Sequence, residues 1–345
     1  MATIGNSFPS LIDMHKASAQ GTVIEILNQQ NPILDDAIAT ECNMDAVHRH
    51  MIRTGLPSVA WGRLYQGTPQ SKSTMQQVDD TTGFLEALSG VDTRLLKLAP
   101  DPAKQRLVES APFLEAMNQE MATGIFYHDT ATTPEKFKGL AARYAVYNSN
   151  RPDPKKPNAA NQVIHGGGSG SDNTSIWFVT WGDHATSLLY PKGTKAGVDI
   201  QDKGEQRVLD ANGNPYYVKE TKFEWHIGAF VKDFRYNARI ANIDVSDMLA
   251  GTVDLWALLR KAYYRLQSRR RNATSSRIAI YMNRDVLEIL DAQSSDRALL
   301  AANPNYTGLG QAQIEGKEVR TYRTIPIRET DALLNTEALV PSVAI

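Results

Sequence analysis

The chain has a single cysteine, Cys42, among 345 residues. No internal disulfide can form from it, and such sparing use of thiols suits a reducing compartment. Neither sign of charge is in excess. The 37 Lys and Arg face 38 Asp and Glu, for a formal net charge of −1, so there is no electrostatic case for tight binding to DNA or to an anionic membrane. No apolar run approaches the roughly 18 residues that span a bilayer. The opening MATIGNSFPSLID has no basic or apolar leader, so no signal peptide is expected. Catalytic signatures are missing too: there is no GxSxG, HExxH or paired-cysteine motif. The stretch HGGGSGSDN, 165–173, lacks the GxxxxGK[ST] spacing and the following helix of a phosphate loop, and reads as a flexible loop tip. His48 and His50 fit no zinc spacing even with Cys42 nearby, and read as solvent-exposed or interface histidines. Asp35-Asp36 and Asp79-Asp80 lack an apolar setting and read as solvated pairs. Arg269, Arg270 and Arg271 make a run too short to argue nucleic-acid binding; they suit the negative end of a helix dipole.

What is present is enough apolar material, 42% of the chain, for one large core or two modest domains. Residues 101–124 predict a helix of about 30 Å at 1.5 Å rise per residue. Leu107, Ala111, Leu114, Met117 and Met121 form its apolar stripe, while Arg106, Glu109, Gln119 and Glu120 fall off it. Asp101 is its N-cap, Pro102 its first residue and Gly124 its C-cap, with Pro112 expected to kink it. Residues 1–18 are polar and weakly patterned, an arm that orders only against something else. A short helix is expected over 21–29, another turn or two over 33–40, and a helix over 84–98.

Residues 51–83 differ. Four glycines and two prolines separate scattered apolar residues, Val59, Trp61, Leu64, Tyr65, Met75 and Val78. The pattern predicts two extended arms around a polar tip near residues 66–73, with too little apolar surface to stand alone. Residues 148–173 are linker-like. A buried strand is expected over 176–181, and an Asn212-Gly213 hairpin turn follows. Phe223, Trp225 and Ile227 alternate on odd positions, and Phe230, Phe234, Tyr236, Ala238 and Ile240 on even ones. This predicts one long strand over 222–244 with a bulge at Gly228-Ala229. A long helix follows, or a short and a long one joined at Gly251, then a strand over 277–282, a helix over 283–293 and a strand over 319–327. The class is α+β and not a regular βαβ repeat.

Several stretches carry a resemblance. IRTGLPSVAW at 52–61, PQSKSTMQQVDD at 69–80, FLEAMNQEMA at 113–122, PEKFKGL at 134–140, DNTSIWFVTWG at 172–182 and FRYNARIANIDVSD at 234–247 together resemble the major capsid proteins of tailed bacteriophages, especially short-tailed phages of enteric bacteria. The resemblance spans about residues 20–340 and implies the Hong Kong 97 (HK97)-like capsid fold. In its terms, 1–50 is the N-arm with short helices, 51–83 the extended loop, and 84–244 the peripheral domain, with a spine helix at 101–124 and a long strand at 222–244. The axial domain is then 245–325, and 326–345 returns to the peripheral domain. It further implies a subunit that self-assembles into hexamers and pentamers, in a virion shell around double-stranded DNA, assembled in the host cytoplasm. Implied partners are a scaffolding protein, a portal and a decoration protein, with no membrane, cofactor or metal. Near-neutral charge suits a shell that contains DNA without gripping it. The family's self-cross-linking member joins Lys and Asn side chains; Lys72 invites the comparison, but no matching motif is seen. The alternatives are an encapsulin-type compartment and, against the lack of catalytic motifs, a cellular α+β enzyme. Candidate inter-subunit contacts are Arg53, Trp61, Arg63, Leu64 and Lys72 on the loop, and Glu109, Glu115 and Glu120 on the spine helix.

Overall fold

The computed structural model describes residues 29, 31–98, 101–150, 152–153, 157–268, 276–295, 309–314 and 317–345. The expected arm at 1–18, nearly all of the helix at 21–29, and Arg269, Arg270 and Arg271 lie outside them. In chain order come helix α1 (Ile33–Asp36), strands β1 (Ala39–Glu41), β2 (Val47–Gly55) and β3 (Thr74–Asp92), and helices α2 (Thr93–Leu98), α3 (Pro102–Tyr127) and α4 (Leu140–Arg143). Next are β4 (Tyr147–Asn148), β5 (Val163–His165), β6 (Asn173–Trp181), β7 (Thr186–Tyr190), β8 (Val198–Leu209), β9 (Pro215–Val231) and β10 (Ala238–Asp244). The rest are α5 (Val245–Leu249), α6 (Leu255–Arg265), β11 (Arg277–Met282), α7 (Arg284–Ser295), β12 (Gly310–Ile314), β13 (Lys317–Tyr322), β14 (Ile325–Glu329) and β15 (Ser342–Val343). The chain divides into two units, with boundaries inside β3, α3 and β9.

The smaller unit holds Phe84–Met121 and Gly197–Trp225. Asp101 caps α3 as expected, its carboxylate accepting from the Ala103 and Lys104 amides at 3.0 and 3.1 Å. One expectation for α3 fails and one holds in part. The helix runs through Gly124 to Tyr127, and only the second half of the expected stripe is inward, with Met117 and Met121 buried and Leu114 half-buried. Leu107 and Ala111 are exposed, whereas Phe113 stacks on Phe223 at 6.0 Å and Arg106 bonds Asp202 and Thr221 at 2.8 Å each. The aromatic partner on β9 decides which face turns inward, and apolar spacing alone cannot supply that. The helix expected over 84–98 is mostly strand: β3 continues to Asp92 with Leu85, Ala87, Ser89 and Val91 inward and Phe84, Glu86 and Leu88 outward. Leu85 and Leu88 thus lie on opposite faces, as a period of two requires. β8 and β9 form a hairpin closed by Asp210, whose carboxylate accepts from Asn212 and Asn214, with Gly213 at φ 81°. The turn matches the Asn-Gly signal.

The larger unit holds Gln30–Gly83, Ala122–Ala196 and His226–Ile345. All nine residues of β6 are buried. β10 and β11 flank it antiparallel, β5 runs parallel to β10, and β14 runs parallel to β11. On this sheet α5, α6 and α7 lay Met248, Leu255, Leu259, Ala262, Val286 and Leu290 against Ile176, Ile240, Ile280 and Ile327. α5 and α6 are separate helices around Gly251, φ 77°. The single strand expected over 222–244 is two. β9 ends at Val231, Asp233 caps one turn at Phe234–Tyr236, and β10 re-enters the sheet. Parity changes because the chain leaves one strand and starts another. The strand expected over 319–327 is likewise split, by a turn with Arg323 and Thr324 at φ 48° and 70°.

The glycine-rich stretch is not a flexible tip. The Gly166 and Gly168 amides bond the Ala241 and Asn242 carbonyls at 2.7 and 2.8 Å, and a Cβ on either glycine would sit 2.8 Å from the Asn242 carbonyl oxygen. Backbone packs on backbone there, which only glycine permits. The last residues are tied in deeply. Asn242, at φ 57°, exchanges two hydrogen bonds with the Val340 backbone, and Glu337 meets Arg239 at 2.8 Å with both side chains 4% exposed. Ser175 and Tyr127 also donate to Glu337.

Candidate functional site

Among the described residues no group of three or more His, Cys, Asp or Glu is placed to hold a metal, and no helix is long and apolar enough to cross a membrane. The acidic pairs that read as solvated are in part buried ion pairs. Asp36 accepts from Arg328 at 2.9 and 3.1 Å and from the Tyr281 hydroxyl at 2.9 Å, while Asp79 stays outside, bonded by Arg49. Carboxylates held by guanidinium and phenol groups in this way are structural. The surface feature that departs from an ordinary monomer is the hairpin of β2 and β3.

Its ladder runs from Val47 opposite Thr81 to Gly55 opposite Thr74, with an irregularity between Arg53 and Gly55. Beyond it, residues 56–73 form no strand. The tip turns at Arg63–Gln66, where the Gln66 amide reaches the Arg63 carbonyl and Tyr65 has φ 64°, so the turn lies before the stretch expected to hold it. A Ser71 hydroxyl bond to the Ser58 carbonyl, 2.7 Å, ties the two arms. Trp61 is 99% exposed, Leu64 91% and Val59 94%; Leu56, Tyr65, Met51 and Met75 are exposed as well. Isolated exposed apolar residues are ordinary, but here seven gather on one hairpin.

The structure sorts the candidate contact residues into two sets. Arg53, Trp61, Arg63, Leu64 and Lys72 share the hairpin and are all exposed. Among the described residues the three cations form no ion pair. The glutamates of α3 are half-buried. Glu115 accepts from the Gln29 amide and the Gln119 side chain, so its carboxylate is already engaged within its own unit. Reasoning from spacing missed Leu107 as a surface residue, because it had placed it on the apolar stripe of the helix.

The hairpin's root is built differently from its tip. His48 and His50 sit on one face of β2 over Phe230, ring centroids 4.7 and 6.0 Å away. Asp80, opposite His48 in the ladder, is 3% exposed and accepts from Arg143 at 2.8 Å; the same guanidinium nitrogen reaches the Lys138 and Ala229 carbonyls. A Cβ on Gly228 would meet the Thr81 carbonyl at 2.8 Å, so β9 and β3 also press together here. His50 is buried and His48 half-buried, against the expectation of exposed or interface residues. Apolar Phe230, distant in sequence, draws them inward. Burial holds both imidazoles below the ordinary histidine range, with Asp80 acting in the opposite sense.

Set against known proteins, the sequence matches the family model for the major capsid protein GP7 over residues 15–341. None of the curated proteins matches it. Among solved structures, a chain of the near-atomic cryo-EM structure of bacteriophage Epsilon15 is similar at 31% identity and a TM-score of 0.70, over 99% of both chains. The capsid of the native GTA particle is similar at 9% identity and TM-score 0.45, over 70% of this chain and 96% of that one. The holo-SrpI encapsulin complex of Synechococcus elongatus stands at 10% and 0.40, over 66% and 95%. At that distance the last two carry no argument.

Proposed function

The chain belongs to the major capsid protein GP7 family, and from that premise we propose how its surface builds the shell. It is a structural subunit of a tailed-phage capsid, not an enzyme, with the α+β HK97-like capsid fold. In the proposal, subunits gather into hexamers and pentamers of an icosahedral shell around double-stranded DNA, held without sequence-specific contacts. Residues 51–83 act as the extended loop laid on a neighbouring subunit, α3 as the spine helix, and residues 245–325 as most of the axial domain. A scaffolding protein, a portal and a decoration protein are the expected partners, and the host cytoplasm the place of assembly.

The observation that carries this reading is the hairpin tip, whose Trp61 and Leu64 are almost wholly exposed. Each apolar side chain of that size is worth about 1.5–3 kcal/mol when taken out of water, so a surface on another subunit is the natural place for them. Arg63 and Lys72, free of ion pairs in their own chain among the described residues, then meet carboxylates on that neighbour. Exposed pairs contribute only about 0–1 kcal/mol each and weaken with salt. Contacts of that strength let subunits exchange until they find their places.

Negative-stain microscopy and sedimentation of the expressed protein test the reading. Shells, tubes or capsomers are expected; a compact monomer at all concentrations would reject it. In the Arg63→Glu, Lys72→Glu double variant, slow or misdirected assembly is expected from a normally folded subunit. Wild-type yield and salt sensitivity would remove the charge contacts from the proposal.

A further inference from the structure

His50 and Asp80 hold a particular place in the fold. They are the last buried residues on the outgoing and returning strands of the hairpin, and nothing between them, residues 51–79, is buried. The projecting 29-residue segment is therefore fastened at one point, the cluster of His48, His50, Asp80 and Arg143 over Phe230. This cluster is short of hydrogen bonds. Both ring nitrogens of His50, His48 Nδ1, Asp80 Oδ2 and Arg143 Nε are buried without a partner. Buried polar groups are rarely left so, and five together call for a physical account.

We propose that this cluster is a proton-operated hinge: with both imidazoles neutral the hairpin root is fastened to Phe230 and α4, and proton uptake by His50 releases it. The charges around His50 are unequal. Asp80 on β3 favours the proton, as does Asp79 at longer range, although Arg49 already bonds that carboxylate. Opposing it are His48 on the same strand, 6.4 Å between ring centroids, Arg143 on α4, and Lys232 just past β9. Cys42, which packs on Phe230 beside Leu189, remains a neutral thiol, its pKa pushed up to about 11 by burial. One carboxylate then stands among several cations. A proton arriving from solvent on a His50 ring nitrogen turns a neutral buried ring into a buried cation beside a guanidinium. That cation either takes Asp80 from Arg143 or moves out to water. In the first case the Arg143–Asp80 bond that joins the hairpin root to α4 is lost, in the second the packing of the ring on Phe230, and either way the hairpin is free to change direction. The inference needs only the root geometry and holds whatever the tip docks against.

The test is amide hydrogen exchange, read by mass spectrometry on the full-length unassembled subunit at about pH 7.5 and about pH 5.5, either side of the ordinary histidine value. Rates are corrected for the intrinsic pH dependence of exchange. Peptides spanning 47–55 and 74–82 should lose protection on acidification, by up to about tenfold for each histidine released, because pH 5.5 lies about one unit below the ordinary histidine value. Peptides from β6 should not change. In His50→Phe the root should stay protected at both pH values. Equal wild-type protection of the root at the two pH values would overturn the proposal, and so would a His50→Phe variant that loosens in acid as the wild type does. If His50→Phe fails to fold, judged by its β6 protection, His50→Gln takes its place, and an unchanged wild-type root still rejects the hinge by itself.

Discussion

Single residues carry much of the cohesion of the larger unit. Arg239 and Glu337 form a pair sealed from water, and Ser175, Tyr127 and the Tyr144 carbonyl complete their hydrogen bonds. Removing one member leaves the other charge buried and unpaired, which costs about 3–5 kcal/mol. Arg239→Met should lower the urea midpoint of the isolated subunit accordingly, whereas a change below about 1 kcal/mol, typical of surface sites, would show that the site relaxes. Gly168 makes a second residue-level demand. A Cβ there would lie 2.8 Å from Asn173 Oδ1, the Asn242 carbonyl and the Asp244 amide, so Gly168→Ala should cost about 1–3 kcal/mol as overpacking does. The histidines add a pH term. His48 and His50 bind protons less readily in the fold than in the unfolded chain. Their contribution is therefore whole above the unfolded value of about 6.5 and falls away as the pH drops below it. A thermal melt repeated from neutral to mildly acidic pH should fall, and should fall less in the His48→Gln, His50→Gln double variant.

At the scale of elements, the hairpin and α3 show two ways of handling apolar surface. On α3, Met117, Met121, Ile125 and Phe126 are buried, which suffices to hold a rod whose interior proline removes one backbone bond. The hairpin has a pinned root and an unsupported end, and its local stability should grade from one to the other. Substituting Trp61→Ser together with Leu64→Ser should leave the subunit's melting curve within about 0.5 kcal/mol of wild type, as expected for exposed positions, while shells fail to form under wild-type conditions. A strong loss of subunit stability would mean that the tip packs on its own chain.

For the whole molecule, the contrast between the tip and the C-terminal segment predicts opposite truncation phenotypes. Residues 331–345 supply Glu337 to the Arg239 pair, Val340 to Asn242, and Leu333 to the Asn283 amide group. Deleting them should abolish the cooperative unfolding transition of the larger unit and leave insoluble protein. Replacing residues 57–72 by Asn-Gly, a turn that hairpin strands accept, should give soluble, cooperatively folding subunits that do not assemble. Solubility and calorimetry of the two variants, side by side, separate the segment that folds the subunit from the segment that joins subunits.

Local chemistry wrote a good deal of this protein into its sequence. Asp101 at the N-cap, the Asn212-Gly213 turn, the buried strand over 176–181 and the apolar poverty of 51–83 all follow from backbone preference and from side chains within a few residues of one another. The class and the capsid family were legible in the same way, from phrases kept in order along the chain. What spacing could not settle was partnership over long sequence distances. Which face the first half of α3 turns inward depends on Phe223. The burial of His50 and Asp80 depends on Phe230 and Arg143, that of Asp36 on Arg328, and the rigidity of the 166–168 glycines on the backbone of Asn242. A polar residue declares itself solvated or buried only when the group that neutralises it arrives. Here those groups come from 63 to 292 residues away along the chain, so the tertiary structure alone decided which charges became part of the core.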